Sequence, residues 1–335
     1  MKVAVLAPVA WRTPPRHYGP WEQISSNIAE GLIKLGIEVT LFATGDSLTA
    51  GKLASVCEKG YEEDRSQDAK VLECLHISNL MERSREFDII HNNFDFLPLT
   101  YSGLIKTPVI TTIHGFSSSR IIPVYKKYNP INNYVSISNS DRSAELNYLA
   151  TVYNGIDTKD FKFNNHPQDH LLYFGRIHPD KGTAEAIEIA KKSKRKLLIA
   201  GIVQDEAYFK EKIEPQLNDQ IEFIGSAGPE KRNSLLGNAL ALLHPINFNE
   251  PFGLSVAEAM LCGTPVIAFN RGSMPELIKH EETGFLVNTV EEAVESVQNL
   301  KNIRRQDCHN WANAQFSCDK MVDDYLGLYR QILGK

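Results

Sequence analysis

The sequence predicts an α/β protein built from two doubly wound domains. Three observations carry this reading. The chain has 335 residues, about the length of two domains. Short apolar runs alternate with amphipathic stretches almost throughout, the signature of parallel strands joined by crossover helices. A polar, irregular stretch at 157–169, including Asn164-Asn165-His166-Pro167, separates two such series and reads as the connection between them.

In the first series, residues 2–7 predict a buried strand. Lys2 followed by the apolar Val3-Ala4-Val5-Leu6 also fits a short signal segment. The run continues unbroken into Trp11-Arg12-Thr13-Pro14-Pro15, which favours strand and loop. Ile24, Ile28, Leu32 and Leu35 share one face of a helix over 22–35, which Gly36 ends before a strand at 38–43. Further strands are expected at 89–91, 109–112, 134–136 and 151–153, with a helix between the last two starting among the capping residues of 138–141. The second series predicts strands at 171–174, 196–200, 221–224, 241–244, 265–268 and 285–287, with helices at 255–261 and 290–302. Met321, Tyr325, Leu328 and Ile332 give the tail, 318–333, helical spacing. Ligands of such sheets bind beyond the carboxyl ends of the strands, so the chemistry is expected in a cleft between the two domains.

Composition narrows the function. Apolar residues are 42% and charged residues 23%, values of a globular chain, and a net charge of −5 argues against a nucleic-acid partner. The five cysteines are scattered and never spaced C-x-x-C, which points to a reducing, cytoplasmic setting without a disulfide framework or structural zinc. No apolar run reaches the roughly 18 residues of a membrane span. The clusters Lys126-Lys127 and 191–196 are the basic patches available for a membrane surface. The second reads more simply as a solvated helix end, so a soluble acceptor is favoured over membrane association.

Two segments of the second series carry the chemistry. In Asn249-Glu250-Pro251-Phe252-Gly253-Leu254-Ser255-Val256-Ala257-Glu258, a loop leaves a strand, turns at Pro and Gly, and starts a helix. The N–H groups of Phe252, Gly253, Leu254 and Ser255 at that helix start suit an anion. Glu250 and Glu258 flank it with acceptors for sugar hydroxyls. In Phe174-Gly175-Arg176-Ile177-His178-Pro179-Asp180-Lys181-Gly182, Arg176 and Lys181 share one strand-to-helix loop and can hold a diphosphate, one as a fork and one as a point charge.

The first series offers weaker signals. Gly19, in His17-Tyr18-Gly19-Pro20-Trp21-Glu22, allows a phosphate to approach the backbone. His114, just after a strand, suits a substrate hydroxyl or proton transfer, whereas His91 and Asp95 read as structural. The dinucleotide fingerprint G-x-G-x-x-G, the P-loop, D-x-D, H-E-x-x-H and G-x-S-x-G are all missing from the sequence. That argues against dehydrogenase, NTPase, metal-dependent and α/β-hydrolase chemistry, and no metal or cofactor is expected.

Together these pieces resemble the GT-B retaining nucleotide-sugar glycosyltransferases of family 4 (glycosyl transferases group 1). Glu250 and Glu258 match the E-x7-E motif within N-E-P-F-G-L-x-x-x-E-A, 174–182 matches G-R-x-x-x-x-K-G, and Asn154-Gly155-Ile156-Asp157 resembles N-G-(I/V)-D. The resemblance spans the chain, more closely in its second half. It implies two Rossmann-like domains facing a central cleft: an acceptor-side domain at 1–160, a nucleotide-sugar domain at 161–310, and a C-terminal helix within 311–335 crossing back to the first. It also implies roles. Arg176 and Lys181 would bind the donor diphosphate, Glu258 the ribose, Glu250 the sugar hydroxyls, and the backbone of 252–255 the sugar and distal phosphate. Gly19 would approach that phosphate, His114 would contact the sugar, and the base would lie near Ile224. Where the family often has Gly-Gly, this chain has Tyr18-Gly19-Pro20-Trp21, a stiffer loop.

The expected reaction moves a hexose-type sugar from a UDP- or GDP-linked donor to a hydroxyl of a small-molecule or glycan acceptor. Fixed cations and helix amides would stabilise the departing diphosphate. A hydrolysing nucleotide-sugar epimerase of the same fold, or a non-catalytic nucleotide-sugar binder, is the alternative.

Overall fold

The computed structural model describes residues 1–116 and 118–334. The chain forms two compact units, residues 1–155 with 318 onward, and residues 156–317, so it passes from one to the other twice.

The first unit holds β1 (Lys2–Leu6), α1 (Pro20–Lys34), β2 (Glu38–Phe42), β3 (Lys52–Ala54), α2 (Ala69–Glu82), β4 (Ile89–Asn92), β5 (Val109–Ile113), α3 (Ile122–Tyr128), β6 (Asn133–Ser136) and β7 (Tyr148–Thr151). They make a parallel sheet ordered β3-β2-β1-β4-β5-β6-β7. In β1, residues Val3 to Leu6 are all buried, as a central parallel strand covered on both faces requires. Ile24, Ile28 and Leu32 of α1 point into the core, as their spacing predicts.

The second unit holds β8 (His170–Phe174), α4 (Thr183–Ser193), β9 (Lys196–Ala200), α5 (Glu206–Tyr208), β10 (Ile221–Phe223), α6 (Pro229–Asn238), β11 (Ala241–His244), α7 (Leu254–Leu261), β12 (Val266–Phe269), α8 (Met274–Leu277), β13 (Gly284–Val287), α9 (Val290–Asn299) and α10 (Arg305–Phe316). Its parallel sheet runs β10-β9-β8-β11-β12-β13. The expected pair of Rossmann-like parallel sheets is what the chain forms.

The last helix, α11 (Cys318–Leu333), belongs to the first unit. Its buried face (Met321, Val322, Tyr325, Leu326, Tyr329) is anchored by polar contacts. Tyr329 Oη lies 2.6 Å from His91 Nδ1, Tyr325 Oη 2.7 Å from Thr112 Oγ1, and Gly155 N donates to Met321 Sδ at 3.0 Å.

Two local expectations fail for physical reasons. No helix starts in 138–141; the segment before β7 is a series of turns, and β7 itself begins at Tyr148 rather than at residue 151. Ser138 Oγ accepts from Asp141 N and Ser143 Oγ from Glu145 N, so short polar side chains satisfy locally backbone groups that a helix would have used. Residues 157–169 are not a free connection either. Lys162 N donates to Asn233 Oδ1 at 2.7 Å, Asn164 N to Cys262 O at 3.0 Å and Gln168 N to Asn238 O at 2.7 Å, which ties the segment to the second unit. Among the described residues no helix is long and apolar enough to cross a membrane.

Candidate functional site

A doubly wound sheet opens a crevice where neighbouring strands send their connections to opposite sides. In the second unit that point lies between β8 and β11, which pair in parallel with Tyr173 opposite Leu243. The loops that leave these two strands are the ones carrying Arg176, Lys181 and Glu250.

The two loops are bound to each other. Lys181 Nζ donates to Glu250 Oε2 at 2.5 Å, with both side chains only about 15% exposed (15% and 14%), and it also lies 4.5 Å from the centre of the Phe248 ring. Asn247 N donates to Asp180 O at 2.7 Å. Gly182 makes the approach possible: it sits at φ 73°, and a Cβ there would fall 1.8 Å from Pro245 O. Arg176 is turned toward the next loop. Its guanidinium donates to Gln204 Oε1, and its carbonyl accepts from Tyr173 Oη at 2.8 Å.

Glu250 stands directly before α7. Gly253 caps that helix in the left-handed conformation, φ 94°, with no side-chain cap bond, so the first turn is laid out as the sequence predicts, with Leu254 and Ser255 as its first residues. The loop is pinned from behind: Ser273 N donates to Glu250 O at 3.0 Å and Ser273 Oγ to Phe252 O at 2.6 Å. The Phe252 ring is buried edge-on against Phe316, with centroids 5.7 Å apart, so Phe252 anchors the turn through its side chain.

Glu258, one turn into α7, is buried, and desolvation raises its carboxyl above the ordinary range. Its Oε2 lies 3.0 Å from Arg232 Nε, and that guanidinium covers the Phe174 ring at 5.4 Å. The structure therefore gives Glu258 a cationic partner from α6. Ile224, expected near the base, follows β10 with its N–H bonded to Ile199 O at 2.9 Å and its side chain 37% exposed.

Gly19 and His114 belong to the first unit. Gly19 caps α1 at φ 151°, and a Cβ there would meet Glu22 Oε2 at 2.8 Å. Glu22 is itself buried, and desolvation pushes its carboxyl up to about 7. His114 stacks on Trp21, with centroids 5.5 Å apart and planes at 23°. Its Nε2 lies 3.0 Å from Asn93 Oδ1, an atom that can only accept, so Nε2 carries the proton and Nδ1 is the acceptor. Burial pushes His114 down to about 3, leaving a neutral ring.

His91 and Asp95 are structural, as expected. His91 is bonded through both ring nitrogens, to Tyr329 and Thr112, and Asp95 accepts from Tyr125 Oη at 2.6 Å. Among the described residues no cluster of His, Cys, Asp and Glu could hold a metal ion.

Sequence reasoning missed Arg232, His244, Gln204 and Glu22. His244 was findable, because it ends β11 at the carboxyl edge where ligands bind. Arg232 carried no such signal, since only the fold brings α6 to α7.

Residues 156–316 match the family model described as Glycosyl transferases group 1. Among curated relatives, an uncharacterized glycosyltransferase of Methanocaldococcus jannaschii is 23% identical over 335 residues, covering 86% of this chain and 85% of that protein. The N-acetyl-alpha-D-glucosaminyl L-malate synthase of Bacillus anthracis is 22% identical over 265 residues, covering 68% of this chain and 69% of its own. Among solved structures, AviGT4, a glycosyltransferase involved in avilamycin A biosynthesis, superposes with a TM-score of 0.74 at 23% identity, covering 99% of this chain and 98% of that one. Anabaena HepE in complex with UDP gives 0.76 at 17% identity, with 99% and 100% covered. A second HepE structure holds UDP-glucose, with a TM-score of 0.73 at 17% identity, covering 99% of this chain and 100% of that one. These structures share the GT-B α/β fold of this chain.

Proposed function

We propose, on the premise that this protein is a glycosyltransferase carrying a Glycosyl transferases group 1 domain at residues 156–316, that it moves a hexose-type sugar from a nucleoside diphosphate donor to an acceptor hydroxyl. The observation that carries the donor reading is the Lys181–Glu250 pair at the β8–β11 switch point, beside the uncapped start of α7. A cation for phosphate and an anion for sugar hydroxyls share one spot, where a helix start favours negative charge.

Breaking the bond between the anomeric carbon and the diphosphate puts growing negative charge on the leaving oxygen. Lys181 and the α7 amides meet that charge, and Arg176 completes the clamp once it exchanges Gln204 for phosphate. Such groups contribute more in the transition state than in the ground state, and one well-placed donor supplies about 3–4 kcal/mol. Glu250 then orients the sugar through its hydroxyls, and Glu258 the ribose. The acceptor hydroxyl attacks on the face the diphosphate leaves, with the leaving phosphate taking its proton, which retains the anomeric configuration. HepE's complexes with UDP and UDP-glucose support a uridine nucleotide as the first donor to test, ahead of a guanosine one. The acceptor in this reading is a soluble small molecule or glycan, and the free cysteines suit a cytoplasmic setting.

The test is a thermal-shift and turnover screen of UDP- and GDP-linked sugars on the full chain, with anomeric analysis of the product by NMR. The reading expects at least one sugar nucleotide to raise the melting temperature and to be consumed with retention. It falls if none binds, and its stereochemical part falls if the product is inverted.

A further inference from the structure

We propose that His244 is a positioning residue for Glu250, receiving its carboxylate when a donor diphosphate draws Lys181 away. The inference rests on the donor site proposed above and goes beyond it by naming what happens to the carboxylate on binding.

Glu250 Oε2 has two nitrogens near it. Lys181 Nζ holds it at 2.5 Å, while His244 Nε2 stands at 3.8 Å, too far for a hydrogen bond. His244 is buried, and among the described residues its Nε2 has no hydrogen-bond partner. A polar ring nitrogen buried without a partner is unfavourable, so a partner within a side-chain adjustment is significant. The Glu250 side chain alone is free to make that adjustment, because its backbone is fixed by Ser273 N on its carbonyl and by Gly272, where a Cβ would fall 2.3 Å from Glu250 N.

Charge explains why the exchange is needed. The Lys181–Glu250 pair is neutral, and a diphosphate that engages Lys181 leaves the carboxylate close to new negative charge. Without another donor Glu250 would be repelled from the site it is meant to serve. His244 sits on the last residue of β11, six residues before Glu250, and burial keeps its ring neutral, pushed down to about 4. A neutral imidazole with its proton on Nε2 donates one hydrogen bond to the carboxylate and adds no net charge to compete with Lys181 for phosphate. Glu250's other oxygen then faces the sugar hydroxyls.

The experiment compares His244→Leu, which removes the donor at similar volume, with His244→Gln, which restores an N–H. Calorimetry measures UMP or GMP, which lack the diphosphate that engages Lys181, against the matching UDP- or GDP-sugar, and turnover is recorded alongside. Expected results are UMP or GMP affinity within about twofold of the unaltered protein for both variants. For His244→Leu, sugar-nucleotide affinity and turnover fall about tenfold or more, and His244→Gln recovers most of the loss. An equal loss for nucleotide and sugar nucleotide, or no loss for either, overturns the inference while leaving the donor site standing. Failure of the unaltered protein to bind any nucleotide overturns the donor site and this inference together.

Discussion

Arg232 Nε lies 3.0 Å from Glu258 Oε2, and the pair joins α6 to α7. Glu258's side chain is 6% exposed and Arg232's 35%, so the carboxylate bears nearly all of the desolvation. Removing the cation alone strands a buried charge. Arg232→Leu is expected to destabilise the fold by about 1–3 kcal/mol, below the full range for a fully buried pair because Arg232 is partly solvated. Glu258→Gln added to Arg232→Leu should recover part of that loss. Urea unfolding of the three variants checks it, and a double variant no more stable than Arg232→Leu would refute the pairing.

Lys181 and Arg176 are expected to separate in their effects on stability. Lys181→Ala breaks a bond at 2.5 Å between two mostly buried groups and leaves Glu250 without its cation, whereas Arg176→Ala frees only an exposed Gln204 contact. Both should lower turnover at least about a hundredfold. Only Lys181→Ala should also lower the melting temperature measurably. Steady-state kinetics beside thermal unfolding tests both halves, and near-normal turnover in the two variants would refute their assigned role.

Arg305 should prove the most sensitive cation for stability. It is buried, and its guanidinium donates to Asn164 O at 2.6 Å, Gly237 O at 2.8 Å, Ala239 O at 2.9 Å and Thr264 Oγ1 at 2.6 Å. One side chain of α10 thus closes segment 157–169, the end of α6 and the start of β12 together. Arg305→Met is expected to cost about 3–5 kcal/mol, because four acceptors lose a charged donor at once. Arg305→Lys should be nearly as damaging, since an ammonium cannot span the fork. Chemical denaturation measures it, and a loss below about 1 kcal/mol would contradict the clamp.

What the sequence revealed depended on how far apart partners lie along the chain. Arg176 with Lys181, and Glu250 with the α7 start, were legible because each group occupies one short loop whose Gly and Pro announce the turn. Arg305 was silent, since Asn164 and Thr264 are 141 and 41 residues away. Helix α2 escaped notice because Val71 and Leu75 are exposed while Leu72, Ile77, Leu80 and Met81 are buried, which blurs the apolar stripe. The misplaced helix near residue 138 has the opposite cause: its serines read as caps, but their side chains take backbone N–H groups within turns instead.

Glu22 gives a pH prediction whose sign is fixed by its environment. Its carboxyl is raised from 4.5 to about 7, chiefly by desolvation, against weaker help from backbone N–H groups including Trp11 N at 3.3 Å. The folded state therefore holds this proton more tightly than the unfolded chain does. The stability it contributes is fully present below pH 4.5 and is lost as pH rises through about 7. Glu22→Gln keeps an acceptor for Trp11 N and removes the titration. Relative to the unaltered protein the variant should gain about 3 kcal/mol between the acid and alkaline ends of that window. The buried histidines act in the other direction: His76 and His244 are pushed down to about 4, His91 and His114 to about 3, so their contribution is lost as pH falls below 6.5. They are common to both proteins and cancel in the difference. Urea unfolding from pH 4.5 to pH 8, followed by the fluorescence of Trp11 and Trp21 in the first unit, reads that difference. A constant offset between variant and unaltered protein across the range would show that Glu22 is not held protonated by the fold.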